Sequence, residues 1–540
     1  MNTSQGVLSY RRLPYALEWK LLIFLILFMD VKLAVKAFAI VLTFFFQPDF
    51  KFGFSLRNSR LPLFYPIVIL IAVLNFIIYD NFSVNYLVVT GTGILIWVVC
   101  ILAIHQVKLY VERTDIEILH NTLAAFFILN IALSLINMGV ILIEIGFRNP
   151  FLYQGQYQKY FINTGDFIKG ITFDTSTTNA LINSFGIVYF LSRKKYIPVL
   201  ACTVTLLVTA SNFSNIVLFL VLAGIFLFKS IKEQKSIIAI CIILLIAFLG
   251  IVSPQNGDYM SEMANKFIVR KKENTVTLPK RPPIRDTPDS LLSSEERKAK
   301  IAILTLDSLA RERIRLSGMT IDKAKTIAVK RPDIPKENIH SPLFQWQRDT
   351  TIFQRQLYAY ILTRAPNTVF HYSEDRPGKL QAFIQSYHYL KDNPGKIITG
   401  DGIGNFSSKL AFRATGLKMA GGFPALFTYC SPEFLKNHLN LYAYYFLKNA
   451  HSHSILHTPA SVYDQMLTEY GFLGFFAFPV YYIGFFLRHL KKLSYGVPLL
   501  IILLSFFLVD YWFEQLSVVL LFELLMFMNI KQNSKSVEHA

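Results

Sequence analysis

The sequence predicts an all-α integral membrane protein of about twelve transmembrane helices, with a large, mainly helical extramembrane domain between the ninth and tenth. Three observations carry this. Of 540 residues, 53% are apolar and only 16% charged, where a soluble protein carries about a quarter of its residues charged. Mean hydropathy is +0.41. The apolar residues come in long blocks rather than as scattered core positions. Together these exclude an ordinary cytosolic enzyme, a disordered chain and a secreted domain.

A helix crossing lipid needs about 20 mostly apolar residues, because every backbone polar group must be satisfied within it. Apolar cores lie at 21–29, 33–46, 63–79, 84–104, 123–145 and 180–191, then at 197–210, 216–228, 237–252, 472–487, 497–509 and 516–528. Several are short unless flanking residues extend them. One helix from 21 to 46 would bury Asp30, Lys32 and Lys36 in lipid, at a cost of a few kcal/mol each. A hairpin that exposes those charges is expected instead.

Short-loop cations set orientation. Arg11 and Arg12, Lys51 with Arg57 and Arg60, and Lys108 with Arg113 share one side. So do the run Arg193-Lys194-Lys195, the stretch 229–235 and the stretch 488–492. Alternate connections around Asp80, Ser211 and Asp510 are nearly free of basic residues. Both termini are therefore expected to be cytoplasmic. Residues 21–29 are followed by Asp30-Val31-Lys32 rather than a small-residue cleavage pattern, so they read as a retained first span. The expected organisation is a bundle of nine spans over 1–252, an outer helical domain over 253–466, and spans ten to twelve with a cytoplasmic tail over 467–540.

The formal charge of +19 acquires meaning from its location. More than half of the 54 basic residues fall in the outer segment, which argues against a cytosolic nucleic-acid surface. Long segments translocate largely regardless of charge. Cys100, Cys202 and Cys241 lie in apolar blocks and Cys430 alone in the polar part, so neither a disulfide framework nor a cysteine metal site is expected.

Within the outer segment, 254–288 is rich in Pro, Lys and Arg and reads as an irregular strap. Ile303, Leu306, Leu309 and Ile314 have near-helical spacing, with Arg311, Arg313 and Arg315 among them, and 343–362 also reads as helical. A helix starting after Arg376, with Pro377 in its first turn, runs through Leu380, Phe383, Ile384 and Tyr387 to a stop at Asn393-Pro394. Gly400-Asp401-Gly402-Ile403-Gly404-Asn405-Phe406 is too glycine-rich for a helix. Those glycines suit a tight turn, or a set of backbone N–H groups near an anion. His451, His453 and His457 follow, and Ser461 with Asp464 suits a capping pair for the helix entering span ten.

The sequence lacks a phosphate-binding Gly-x-x-x-x-Gly-Lys-Ser/Thr loop, a GxSxG elbow and HExxH. What remains is a basic, aromatic outer face beside the membrane. Guanidinium forks there match the oxygens of a diphosphate. Tyr387, Tyr389, Tyr444 and Tyr463 suit stacking on sugar rings, and a histidine suits proton transfer from an acceptor hydroxyl.

Two stretches add a resemblance. Lys379-Leu380-Gln381-Ala382-Phe383, then Asn393-Pro394, then the glycine run to Phe406 is similar to "R-x-x-x-W … P-x-x-G-x-G-x-G-N-F". Ser461-Val462-Tyr463-Asp464-Gln465-Met466-Leu467-Thr468-Glu469-Tyr470-Gly471-Phe472-Leu473-Gly474 resembles "H-N-x-Y-L-Q-x-L-x-E-x-G-x-x-G". Both patterns are those of the O-antigen ligase and O-antigen polymerase superfamily of bacterial envelope glycosyltransferases. The chain departs from them at three places. Lys379 stands at the arginine position, with Arg376 one turn earlier. Ala460-Ser461 stand where the "H-N" pair belongs, with His457 three residues upstream. Ser211-Asn212-Phe213 replaces "S-R-G".

The resemblance implies a divergent polymerase or ligase-like enzyme of the bacterial inner membrane, with the outer domain periplasmic. It would transfer an oligosaccharide from undecaprenyl diphosphate to another glycan or to lipid A-core, without metal or other cofactor and without nucleic acid. By that resemblance Arg376 and Lys379 hold the donor diphosphate and His457 is the base, with Gly400, Gly402, Gly404, Asn405, Gln465 and Glu469 supporting. Two other readings stand beside it: a flippase for lipid-linked oligosaccharide, and a non-catalytic envelope assembly protein. Transporters tend to carry internal repeats, and the sequence shows none.

Overall fold

The computed structural model describes residues 16–79, 82–145, 149–152, 167–254, 256–257, 376–417, 421–445 and 455–538, with scattered positions between 261 and 364. The chain divides into two units, one of 1–257 with 350–540 and one of 258–349. The described positions of the second unit are helical. His451, His453, Arg311, Arg313 and Arg315 lie outside the described residues, as does most of the expected strap. Everything below concerns the first unit.

Its described residues are helical and include no strand. The helices before the outer segment are α1 (Trp19–Met29), α2 (Leu33–Phe46), α3 (Phe64–Tyr79), α4 (Val84–Arg113), α5 (Ile116–Ile145), α6 (Ser176–Ser192), α7 (Tyr196–Val208), α8 (Asn212–Phe228) and α9 (Lys232–Ala247). Then come α10 (Gly378–Asp392), α11 (Lys409–Ala414), α12 (Val462–Glu469), α13 (Gly471–Ala477), α14 (Gly496–Phe506) and α15 (Ser517–Glu538). Among the described residues, α4, α5 and the stretch Lys232–Val252 are long and apolar enough to cross a membrane, and seven shorter helices are apolar. This is a helical membrane protein.

The core forms around α15. Its residues 518–528 are buried on every side, as expected of a helix that is apolar all round, and it packs against α4, α6 and α14. Glu523, the one acid in that stretch, accepts a hydrogen bond from Tyr65 Oη at 2.5 Å.

The first pair is a hairpin, broken at Asp30, whose Oδ1 accepts from the Lys32 amide at 2.7 Å. One part of the expectation fails. Lys36 is buried, not exposed: its Nζ donates to the Phe28 carbonyl at 2.6 Å and to Ser517 Oγ at 2.5 Å. The turn freed carbonyls at the end of α1, and an ammonium satisfies them from inside the bundle.

A second polar cluster supports the connection into α6. Asn130 and Asn137 of α5 accept the amides of Ile171 and Gly170, and Asn179 of α6 donates to the Ile168 carbonyl. Backbone that cannot reach water is satisfied by amide side chains.

The basic connections meet at one end of the bundle. Arg60 pairs with Glu112 at 2.6 Å, Arg113 with Asp49 at 2.5 Å, and Lys531 donates to the Thr114 carbonyl at 2.6 Å. Arg488 donates to the Ser59 carbonyl. The outer segment binds the other end: Asn75 donates to the carbonyls of Thr399 and Gly400, and Asn85 to that of Thr428.

Candidate functional site

The expected helix after Arg376 forms as α10 and stops at Asn393; Pro377 occupies its N-cap, one position before the first turn. Three sequence-predicted residues meet at its start. Tyr445 Oη donates to the Arg376 carbonyl at 2.9 Å while its ring stacks on His457, centroids 5.1 Å apart. The Gly378 amide donates to His457 Nδ1 at 3.3 Å, and the Lys379 amide to the Leu456 carbonyl at 3.0 Å. A Cβ on Gly378 would lie 2.1 Å from the His457 carbonyl oxygen, so glycine permits this approach.

The three side chains differ in what they leave available. Arg376 is exposed. Lys379 is buried, and its Nζ donates to the carbonyls of Val509 at 3.1 Å, Thr458 at 3.4 Å and Ala460. Burial pulls its pKa down to about 7, while Asp510 and Asp464 oppose the shift. Lys379 therefore ties α10 to the 458–460 turn and to the end of α14. His457, with Nδ1 accepting, carries its neutral-state proton on Nε2. To take a proton at Nδ1, the Gly378 bond must open.

At the other end of α10 the glycine run wraps an acidic side chain that the chain supplies itself. The Glu469 carboxylate accepts from the amides of Gly404 at 3.0 Å, Phe406 at 3.2 Å and Ser407 at 3.0 Å. Gly400, Gly402 and Gly404 all have positive φ. A Cβ would meet Glu469 backbone at 2.4 Å from Gly400 and Val89 Cγ1 at 2.5 Å from Gly404. Both open readings of these glycines thus describe one object, a tight turn whose N–H groups converge on a carboxylate. The turn is pinned further by the amides of Asp401 and Phe472, which donate to the carbonyls of Thr468 and Ile397 at 2.8 Å each.

Glu469 has a buried acidic neighbour, Glu514, which accepts from the Leu410 amide at 2.7 Å and from Gln465 Nε2. Burial pushes Glu514 up to about 7, against the pull of Arg413. Burial, then the Glu514 charge, push Glu469 up as well. The expected Ser461–Asp464 capping pair does not form. Ser461 is the N-cap of α12, but its Oγ donates to the Phe507 carbonyl. Asp464 instead accepts from Ser386 Oγ at 2.6 Å and lies 2.6 Å from His438 Nε2, off the line of a good hydrogen bond. Tertiary partners win because the start of α12 is buried.

No family model, curated protein or solved structure matches the chain.

Beside the glycine turn a cleft of about 190 Å³ opens between the 396–405 turn, the 429–433 segment and the ends of α3 and α4. Lys396 pairs with Asp401 Oδ1 at 3.1 Å, and Tyr389 Oη donates to the same oxygen at 2.6 Å. Asn405 Nδ2 donates to Tyr86 Oη at 3.0 Å, and its Oδ1 accepts from Tyr429 Oη at 2.9 Å. Glu433 completes the wall and pairs with Lys436 at 3.8 Å. Burial raises the pKa of both Asp401 and Glu433.

Of these residues, Asn405 and Tyr389 were singled out by sequence, Tyr389 for a different role. Asp401 stood in the glycine run as a spacer, and its neighbours come from stretches more than three hundred residues apart. His438, fully buried against Asp464 and Phe406, was also missed; no spacing in the sequence marks it. Of the four tyrosines proposed for stacking, Tyr387 is exposed and Tyr389 serves Asp401, while Tyr463 Oη donates to the Leu504 carbonyl.

Proposed function

We propose that the chain is a membrane glycosyltransferase of the O-antigen polymerase and ligase type. It transfers undecaprenyl-diphosphate-linked oligosaccharide at the periplasmic face of a bacterial inner membrane, with about twelve spans and both termini cytoplasmic. One observation carries the reading: the two stretches that resemble that superfamily fold against each other, with Glu469 of one held by the amides of Gly404, Phe406 and Ser407 of the other. Two separate chance likenesses would have no reason to share a hydrogen-bonded unit. The grouping of basic connections at one end of the bundle favours the assigned orientation.

In this reading the exposed Arg376 meets the donor diphosphate at the head of α10, as a guanidinium fork suits phosphate oxygens. Lys379 holds the frame behind it. Base action by His457 at Nδ1 requires release of Gly378. Departure of the carrier diphosphate supplies the driving force, so no nucleotide sugar is needed at this face.

The test is deletion of the gene followed by glycolipid electrophoresis, with complementation by the parent and by Arg376→Ala. Loss of all capped long chains identifies a ligase, and accumulation of single-repeat caps a polymerase. Unchanged envelope glycans in the deletion strain would overturn the proposal.

A further inference from the structure

The cleft and the head of α10 are separate places. Eleven residues along the helix divide Gly378, which meets His457, from Tyr389, which meets Asp401. At 1.5 Å per residue that is about 16 Å. A group held in the cleft is too far from Arg376 and His457 to react there, yet near enough to belong to the same extended molecule.

The lining specifies what that group is. The charges offset one another, since Lys396 pairs with Asp401 and Lys436 with Glu433. A strongly charged ligand gains nothing there. The polar wall is fixed in place: Asn75, Tyr86, Asp401 and Asn405 are each more than nine-tenths buried, and the Asn75 amide is spent on the carbonyls of Thr399 and Gly400. The Asn405 amide is held by Tyr86, by Tyr429 and by the Asp401 carbonyl, to which its Nδ2 donates at 2.6 Å. Asp401 uses Oδ1 for Tyr389 and Lys396, while Oδ2 takes no hydrogen bond among the described residues. A carboxylate oxygen left over in this way is an acceptor for a ligand hydroxyl. In the wall the Tyr429 ring packs on that of Tyr86, centroids 5.1 Å apart, and Tyr86 stacks in turn on Phe76, so Tyr429 is the aromatic residue at the rim. The volume of 190 Å³ equals that of about six liquid waters, the scale of one ring rather than of a chain.

We propose that this cleft is a saccharide subsite, which takes one uncharged pyranose unit of the glycan by its hydroxyls, with Asp401 and Glu433 as acceptors and Tyr429 as the aromatic rim. The inference rests on the transferase reading and deepens it: the subsite would hold a sugar several units from the reacting end and so select the repeat unit that enters. A pocket fixed before ligand arrives loses little order on binding, which suits a weak polar ligand.

The experiment uses the full chain in detergent, with the methyl glycosides of glucose and of N-acetylglucosamine as probes and saturation-transfer NMR as readout. At least one glycoside should receive saturation from the parent protein. Glu433→Gln, at a half-exposed position, should keep the thermal unfolding midpoint and weaken binding roughly tenfold, the effect of losing a charged acceptor. Asp401→Asn should weaken it similarly. No transfer to either glycoside from folded parent protein would overturn the subsite, as would binding unchanged in both variants. Failure of the transferase reading looks different: the glycosides bind and the variants lose binding, while deletion of the gene leaves envelope glycans intact.

Discussion

Removing the Glu469 carboxylate should release the glycine turn. In Glu469→Ala three amides, those of Gly404, Phe406 and Ser407, lose their acceptor inside a buried site. Each unsatisfied buried donor costs about 1–3 kcal/mol, so the gross penalty is about 3–9 kcal/mol. Part is returned, because the buried charge and its repulsion from Glu514 also disappear. In Glu469→Gln the side-chain oxygen can keep Phe406 and Ser407, which share Oε1, while the new NH₂ faces the Gly404 amide. One donor is then lost, at about 1–3 kcal/mol. The assay is hydrogen exchange by mass spectrometry on peptides covering 400–409, alongside thermal unfolding in detergent. Exchange in that segment should accelerate strongly in the alanine variant and modestly in the glutamine variant, with the same order of destabilisation. Should the alanine variant fail to accumulate, the glutamine variant alone still reads the effect. Parent-like exchange in a folded Glu469→Ala protein would refute the claim that this carboxylate organises the turn.

Gly471 has φ +64° and a Cβ there would sit 2.4 Å from the Ile398 carbonyl oxygen, whereas a Cβ on Gly91 meets nothing within 4 Å; Gly471→Ala should lose most folded protein in fluorescence-detected gel filtration, and Gly91→Ala should match the parent. Burial holds Glu514 at about 7 against an ordinary value of 4.5, so between those pH values the folded chain keeps a proton the unfolded chain has released, and stability falls as pH rises through that window. Glu514→Gln should flatten that decline in unfolding midpoints measured from pH 5 to 8, whatever its offset at a single pH. Since the His457 ring accepts from Gly378, His457→Gln should keep more of the protein's stability than His457→Phe, by about 1 kcal/mol for the restored acceptor; equal unfolding midpoints would show the bond to be idle.

Much of the helical framework was legible because its signals are local. Apolar blocks mark α3 through α9, and Asn393-Pro394 marks the end of α10. Charge placement was legible only where water decides it. Arg60 and Arg488 reach the basic end of the bundle as loop cations should. Lys36 does the opposite, because the frayed end of α1 offers carbonyls that no periodicity reveals. The same holds for Asp464. Its spacing from Ser461 fits a capping box, but Ser386 and His438 approach from elements 78 and 26 residues away and claim it. The cleft was legible least of all, since its walls come from α3, α4 and two irregular segments whose meeting depends on the whole fold.

Lysine at position 379, where the resembling pattern has arginine, makes physical sense in this surrounding. Its head enters a cage of main-chain oxygens from Thr458, Ala460 and Val509, with Thr458 Oγ1 at 3.3 Å as a further acceptor. An ammonium presents three donors spread around one point and fits such a cage; a planar guanidinium presents its donors in a fork and fits two parallel oxygens instead. At this position the lysine is a backbone-shaped cation. Arg376, one turn earlier and exposed, supplies the fork that position 379 lacks. A cation pair at the head of α10 is thus divided into one member that fastens the protein and one that remains open to an anion.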